Sequence, residues 1–260
     1  MKRLATILLV LPTLLGVRAE GPVIDREQLL KQDLSMLWTG PLPLIDREDT
    51  TALEWVERPE PLGYIGKEFR RFSIHIASVT RSATDPLRYA LRGKTRTGSN
   101  ICSFRGELAI DSVVRRPESG EPDAWGGIFG GWRLYGHYTL REDPGQPGAG
   151  LFEGTHWLDV AADERGNIYY DTLMIIADGY RNNQWQGNWR SDKTGAAKVC
   201  NWGDFRIPES RGLDIGAGEF MPAGEYRQNG WRSFVDCYDA DETVRTAARR
   251  EECCQWWMLE

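Results

Sequence analysis

The chain of 260 residues carries 38 acidic against 32 basic side chains, a formal net charge of −6 at pH 7. That balance argues against nucleic acid as a partner, because phosphate backbones are gripped by a clustered excess of Lys and Arg. The length suits one large all-β domain with extensions, and no Pro- or Ser-rich linker divides its middle.

Lys2 and Arg3 precede an apolar run over residues 4–15, which leads to a small-residue exit at Val17-Arg18-Ala19. This is the pattern of a secretory signal peptide cut near Ala19. A membrane-spanning helix needs about 20 apolar residues, and this run is shorter and carries Pro12. The expectation is a periplasmic or secreted protein without membrane insertion. Loss of Lys2, Arg3 and Arg18 would leave the remainder more acidic still.

Residues 20–62 read as a helix and an extended arm. Asp25 can cap a helix running to Trp38, with Leu30, Leu34, Leu37 and Trp38 near one face. Pro41, Pro43, Pro59 and Pro61 then favour an extended segment lying on the domain as cover.

From Lys67 the period becomes two. Phe72, Ile74 and Ile76 alternate with polar or small residues, and Leu87, Tyr89 and Leu91 oppose Arg88, Arg92, Lys94 and Arg96. The second segment is a half-buried strand with a basic, solvated outer face. Thr97-Gly98-Ser99-Asn100 is a turn that returns the segment from Ile101 to Ile110 as a hairpin partner.

A short pattern recurs at Phe104-x-Gly106-x-Leu108, Phe152-x-Gly154-x-His156 and Trp185-x-Gly187-x-Trp189. In each, the aromatic, the glycine and the bulky residue share one strand face. Glycine inside a strand weakens it, so its place on the apolar face predicts a sharp bend or a large ring packed over it. Trp132, Leu134, Gly136, Tyr138 and Leu140 continue the alternation, and turn signals stand at Pro117 to Asp123, Asp143 to Gly148, Asp163 to Asn167 and Asp178-Gly179. The expected fold is all-β, an antiparallel up-and-down barrel over residues 63–235, with the N-terminal arm before it and a short C-terminal helix and tail over 236–260.

The aromatic-x-Gly pattern on successive strands resembles the calycin-like barrels of the lipocalin and avidin type, and residues 64–231 are similar to uncharacterised secreted bacterial proteins of that architecture. The resemblance implies a ligand-binding barrel and carries no catalytic residue onto this chain.

The segment from Cys200 to Trp231 sets Trp202, Phe205, Phe220, Tyr226 and Trp231 among Asp204, Arg206, Asp214 and Glu219, with glycines at 203, 212, 216, 218, 224 and 230. So many glycines favour a shaped, aromatic-walled loop over one long helix or strand. Trp185, Trp189, Trp202 and Trp231, with Asn182, Asn183, Gln184 and Asn188, combine flat apolar faces and amide donors in the way sugar and small-ligand sites do. His156 falls on the inward phase and could act as a base or ligand group, although a core histidine satisfied by a neighbour is the commoner outcome. Asp204, Asp214 and Glu219 admit a paired-carboxylate reading, against the more frequent use of such residues as loop caps or partners of Arg206 and Arg211.

Ser233 to Tyr238 reads as a strand, and Asp241 caps a helix from Glu242 to about Cys254, after which Trp256 and Trp257 should dock on the body. In an exported chain the five cysteines imply disulfides with one thiol left over. The expected pairs are Cys102 with Cys200 and Cys237 with Cys253 or Cys254. His75, His137 and His156 are scattered and no cysteines stand two to four apart, so no metal is expected. Phosphate-loop, dinucleotide and nucleophile-elbow motifs are missing, so no cofactor is expected either. The leading reading is an exported, non-catalytic protein that binds a small amphipathic molecule or a glycan. The alternatives are a hydrolase of envelope polysaccharide and an envelope protein whose tail locks into an assembly, with the oligomeric state open.

Overall fold

A computed structural model describes residues 22–45, 53–116, 124–125 and 128–258. The signal-peptide reading of residues 1–19 and the turn expected at Pro117 to Asp123 lie outside them. In chain order the elements are α1 (Arg26–Lys31), α2 (Met36–Thr39), β1 (Leu42–Ile45), β2 (Leu53–Val56), β3 (Leu62–Ile65), β4 (Arg70–Arg81), β5 (Arg88–Thr97) and β6 (Asn100–Arg115). They continue with β7 (Ala124–Trp125), β8 (Ile128–Glu142), β9 (Gly150–Asp163), β10 (Ile168–Tyr170), β11 (Asn182–Ser191), β12 (Ala197–Asp204), α3 (Arg232–Asp236) and α4 (Glu242–Glu252).

Strands β3, β4, β5, β6, β8, β9, β11 and β12 each pair antiparallel with the next, and β12 returns to β3. This is a closed, up-and-down, eight-stranded barrel. The period-two segments lie in it as expected: Phe72, Ile74, Tyr89, Leu91, Phe104 and Leu108 are buried inward. Gly98, at φ 62°, takes the left-handed conformation needed in the tight turn between β5 and β6.

The recurring glycines are where neighbouring strands come closest. Gly187 lies directly across from Gly154 on β9, and Gly154 in turn faces Tyr138 on β8. A Cβ at Gly154 would stand 2.0 Å from the Gln186 carbonyl oxygen, and one at Gly187 would stand 2.2 Å from that of Glu153 and 2.7 Å from the Tyr138 hydroxyl. Tyr138 therefore lies over a bare stretch of backbone. Its ring meets Trp185 and Trp202 edge-on at 5.0 and 5.2 Å, and those two indoles stack 5.4 Å apart. Phe72, Phe152, Leu134, Leu140 and Leu158 complete a solid interior. Each fully buried tryptophan contributes roughly 5 kcal/mol of apolar transfer as an upper figure. The Tyr138 hydroxyl and the Trp202 indole N–H have no hydrogen-bond partner among the described residues, a cost of about 1–3 kcal/mol each. Ring volume, not polarity, selects these residues.

One mouth is plugged. Leu34, Leu37, Trp38 and Leu42 join the interior cluster, and the Leu34 N–H donates to the Tyr89 hydroxyl at 3.3 Å. The helix expected from Asp25 to Trp38 is divided into α1 and α2. Asp25 caps α1 by accepting from the Gln28 N–H at 3.0 Å, but Asp33 accepts from the Ser35 N–H at 2.9 Å and starts the chain afresh. The arm expected to be extended folds first into a hairpin of β1 and β2.

Two other expectations are corrected. Ser233 to Tyr238 does not form a strand: residues 232–236 are the helix α3, because the closed barrel leaves no ladder edge there and helical winding turns Phe234 onto Phe220 and Trp231. No disulfide forms, and all five cysteines are free. Cys102 on β6 and Cys200 on β12 sit on opposite sides of the ring, with three strands between them either way. A bridge needs Cα atoms within about 7 Å and converging side chains. At the tail, Cys253 and Cys254 are exposed and Cys237 is half-buried.

Substituting Gly154→Ala drives a methyl group into the Gln186 backbone, and is expected to cost about 3 kcal/mol or more. Denaturant unfolding, compared with an exposed glycine at ordinary φ such as Gly212→Ala as control, measures it.

Candidate functional site

The candidate ligand residues do not form one site. Trp185, Trp202, His156 and Asp204 meet inside the barrel beneath its plug, all almost fully buried. Asp204, at the end of β12, pairs with Arg58 of the arm at 2.6 Å and accepts from the Tyr170 hydroxyl at 2.9 Å and the Asn183 amide at 3.2 Å. Arg58 also donates to the carbonyls of Gly40 and Leu37 and lies over the Tyr170 ring. Burial raises the Asp204 pKa, and Arg58, Tyr170 and Asn183 oppose that rise. This pair fastens the plug to the wall and leaves the carboxylate no path to a substrate.

The His156 ring lies 4.2 Å from that of Trp185 and 5.9 Å from that of Trp38. Its Nε2 stands between partners with opposite needs: the Trp38 N–H at 3.3 Å requires a lone pair, and Asn183 Oδ1 at 2.9 Å requires a proton. Asn183 gives its amide N–H to Asp204 and accepts from the Trp185 indole at 3.0 Å. The shorter contact and that orientation assign the proton to Nε2. Burial lowers the His156 pKa to about 4 against the Asn183 hydrogen bond, so the ring is neutral near pH 7.

The amide run at 182–184 serves the backbone through Asn182 and Gln184. It spans a register shift between β11 and β12, where Asn183 adopts φ 50°. Asn182 accepts from the Asp159 and Asn183 N–H groups, each at 2.7 Å, and Gln184 donates to the Asn182 and Arg206 carbonyls.

Elsewhere, Trp189 donates to the buried Glu142 carboxylate at 2.9 Å near the far end of the barrel. Trp231 packs with Tyr64, Ile207, Leu213 and Phe220 in a second cluster and donates to the Phe69 carbonyl at 2.8 Å. Arg206 and Asp214 build a loop: they pair at 2.6 Å, and the same guanidinium donates to the carbonyls of Gly216, Ala217 and Gly218. Glu219 rides on that loop, and it alone of these candidates lines a large outer cleft.

The cleft, about 1110 Å³, lies outside the barrel. Its walls come from the arm at Glu57 and Glu60, from Arg71 and Arg96 of β4 and β5, from the loop bearing Ile176 and Tyr180, from Phe205 and Phe220, and from the tail over residues 252–257. Phe205 holds φ 67°, unusual for a bulky residue, as the chain leaves β12. Its ring meets Tyr180 edge-on at 5.0 Å. The tail is docked by three side-chain pairs. Arg71 and Glu252 form two parallel hydrogen bonds of 2.6 Å, Arg96 lies 5.1 Å over Trp256, and Trp257 stacks on His75 at 4.2 Å and 3°. His75 also bonds Glu60 at 2.9 Å. Sequence reasoning places Arg96 on a basic face, read as solvated in preference to a groove for a polyanion. It missed Arg71 and Glu252, whose meeting over 181 residues leaves no local pattern.

No family model matches this chain, and no curated protein or solved structure matches it either. Among the described residues no helix is long and apolar enough to cross a membrane, and no group of three or more His, Cys, Asp or Glu could hold a metal ion.

Two outcomes follow from the buried network. Asp204→Asn leaves the Arg58 guanidinium without its anion and should lower stability by about 3 kcal/mol, read by denaturant unfolding at pH 7. His156 is protonated near pH 6.5 when unfolded but only near pH 4 when folded. Stability should therefore fall as pH drops through that window, by about 3 kcal/mol in full. A His156→Gln variant should lose that share of the slope between pH 7 and 4.5.

Proposed function

We propose that this is an exported, non-catalytic binding protein whose ligand lies in the outer cleft. The ligand class is a small amphipathic molecule or a glycan. The observation that carries the reading is the contrast between a barrel interior filled by aromatic rings and an outer cleft of about 1110 Å³. That volume is ample for small-molecule sites, which are mostly apolar concavities with a few placed polar groups. Tyr180, Phe205 and Phe220 supply flat apolar surface, and Arg71, Arg96, Glu57, Glu60 and Glu219 supply the polar groups. Export is supported by the segment ending at Ala19 and by the resemblance to secreted calycin-like proteins.

Binding is favoured over polysaccharide hydrolysis by the surroundings of the carboxylates. Asp204 is sealed beneath the plug, Asp214 is committed to Arg206, and Glu219 has neither of them beside it in the cleft lining.

The test is tryptophan emission of the purified chain titrated with short-chain amphiphiles and oligosaccharides. At least one class should shift the emission saturably. Ile176→Arg, at an exposed position on the cleft wall, should weaken that binding by about tenfold or more with unchanged melting temperature. No saturable binding, or binding indifferent to Ile176→Arg, would overturn the proposal.

A further inference from the structure

The register of β4 and β5 sets Arg96 opposite Ser73. Arg71, two residues from Ser73 on the same strand face, is then the diagonal neighbour of Arg96 on the outer wall of the barrel. His75 and Lys94, opposite one another, continue this face. The basic stripe noticed in the sequence of β5 is thus one half of a two-strand cationic strip, and the C-terminal segment lies across it.

Among the described residues, Glu252 is the one carboxylate at ion-pair distance from either guanidinium group. Glu252 takes Arg71 in a bidentate pair with 18% and 19% of the two side chains exposed. Arg71 is held in place beneath by Trp231 and Phe234, whose ring centroids lie 5.3 and 5.8 Å away. Arg96 has no carboxylate at ion-pair distance among the described residues, and its guanidinium lies over the Trp256 ring. Burial and the like charge of Arg71 disfavour the Arg96 cation, while Glu252 and Glu251 attract it from farther off. Planar guanidinium groups presented on a rigid wall suit a carboxylate or phosphate held by paired hydrogen bonds. Glu57, Glu60, Asp178 and Glu219 also line the cleft, Glu60 being hydrogen-bonded to His75. A bare inorganic anion gains little there. An anion with an apolar body can set its head on the arginines and its chain along Phe205, Tyr180 and Ile176.

We infer that the cleft selects amphiphiles with a carboxylate or phosphate head, that Arg71 and Arg96 seat that head, and that Glu252 is an internal competitor which an incoming anion displaces. The inference rests on the cleft being the ligand site. The C-terminal segment is then a clasp: it covers the seat through Glu252, Trp256 and Trp257 and is loosened from Arg71 when ligand arrives. Trp257, stacked on His75, reports that loosening.

The experiment titrates the full chain with octanoate, octyl phosphate, octyl glucoside and inorganic phosphate, below micelle concentrations, following tryptophan emission. Octanoate and octyl phosphate should bind at least tenfold more tightly than octyl glucoside, and inorganic phosphate should bind more weakly than octyl phosphate. Arg96→Gln, which leaves the Arg71–Glu252 pair in place, should abolish the preference for the anionic heads. Glu252→Gln should tighten octanoate about fivefold or more; if that variant does not fold, Arg96→Gln alone decides the anion seat, and the rate of tail proteolysis with and without octanoate decides the clasp. Equal affinity for octanoate and octyl glucoside, or a preference that survives Arg96→Gln, overturns the anion seat while leaving the binding reading intact. Unchanged affinity in a folded Glu252→Gln, or unchanged proteolysis, overturns the clasp. Binding of none of the octyl compounds overturns the inference, and the wider reading fails with it if no oligosaccharide binds.

Discussion

The contact on which the rest depends is the approach of β8, β9 and β11 at Tyr138, Gly154 and Gly187. Backbone atoms there come within about 2 Å of where a side chain would start, so these strands can coil only if both opposed positions are bare. The volume released is taken by the Tyr138 ring, which in turn braces Trp185 against Trp202. Closure of the barrel and filling of its interior are therefore the same event. A protein interior is packed as densely as an organic crystal, and an eight-stranded ring filled with three such side chains, Phe72 and Phe152 has no room left for a ligand.

A filled interior also explains the polar network below the plug. Asp204, Asn183, His156 and Arg58 carry chemistry that in an open cavity would read as an active centre. Enclosed by Trp38, Trp185 and Tyr170, the same groups act as fasteners: Arg58, Tyr170 and Asn183 all donate to Asp204, and the Trp185 indole donates to Asn183. Buried polar groups are costly without partners, and here the main one, Arg58 for Asp204, comes from 146 residues away. The arm is thereby fixed to the barrel by specific geometry as well as by the apolar contacts of Leu34 and Leu37.

With the inside filled, the large cleft lies on the outer wall. The strand face that carries Arg71, His75 and Arg96 is polar because it points away from the core. The tail that covers them is tied by one ion pair and by aromatic contacts. Burial raises the Glu252 pKa, but the hydrogen bonds and charge of Arg71, with Ser233 and Arg96, outweigh it and hold the carboxyl below its usual range. The pair is therefore at full strength at neutral pH and is lost as pH falls through that depressed value.

Local pattern determined a good deal. Alternation at Phe72, Tyr89, Phe104 and Trp185 sufficed to assign the strands and their inward faces, and glycines placed on the apolar face at 106, 154 and 187 signalled a curled sheet with rings packed over them. Asp25 and Asp241 announced the helix starts they cap. These features were legible because strand phase, turn chemistry and capping act over a few residues. The tertiary structure alone decided that the tryptophans fill the barrel, that Cys102 and Cys200 stand on opposite walls, that 232–236 coils as a helix once no strand edge is free, and that Glu252 returns to Arg71. Each of these depends on which residues meet after closure. A side chain's type states what it can bond to, and only the folded chain supplies the partner.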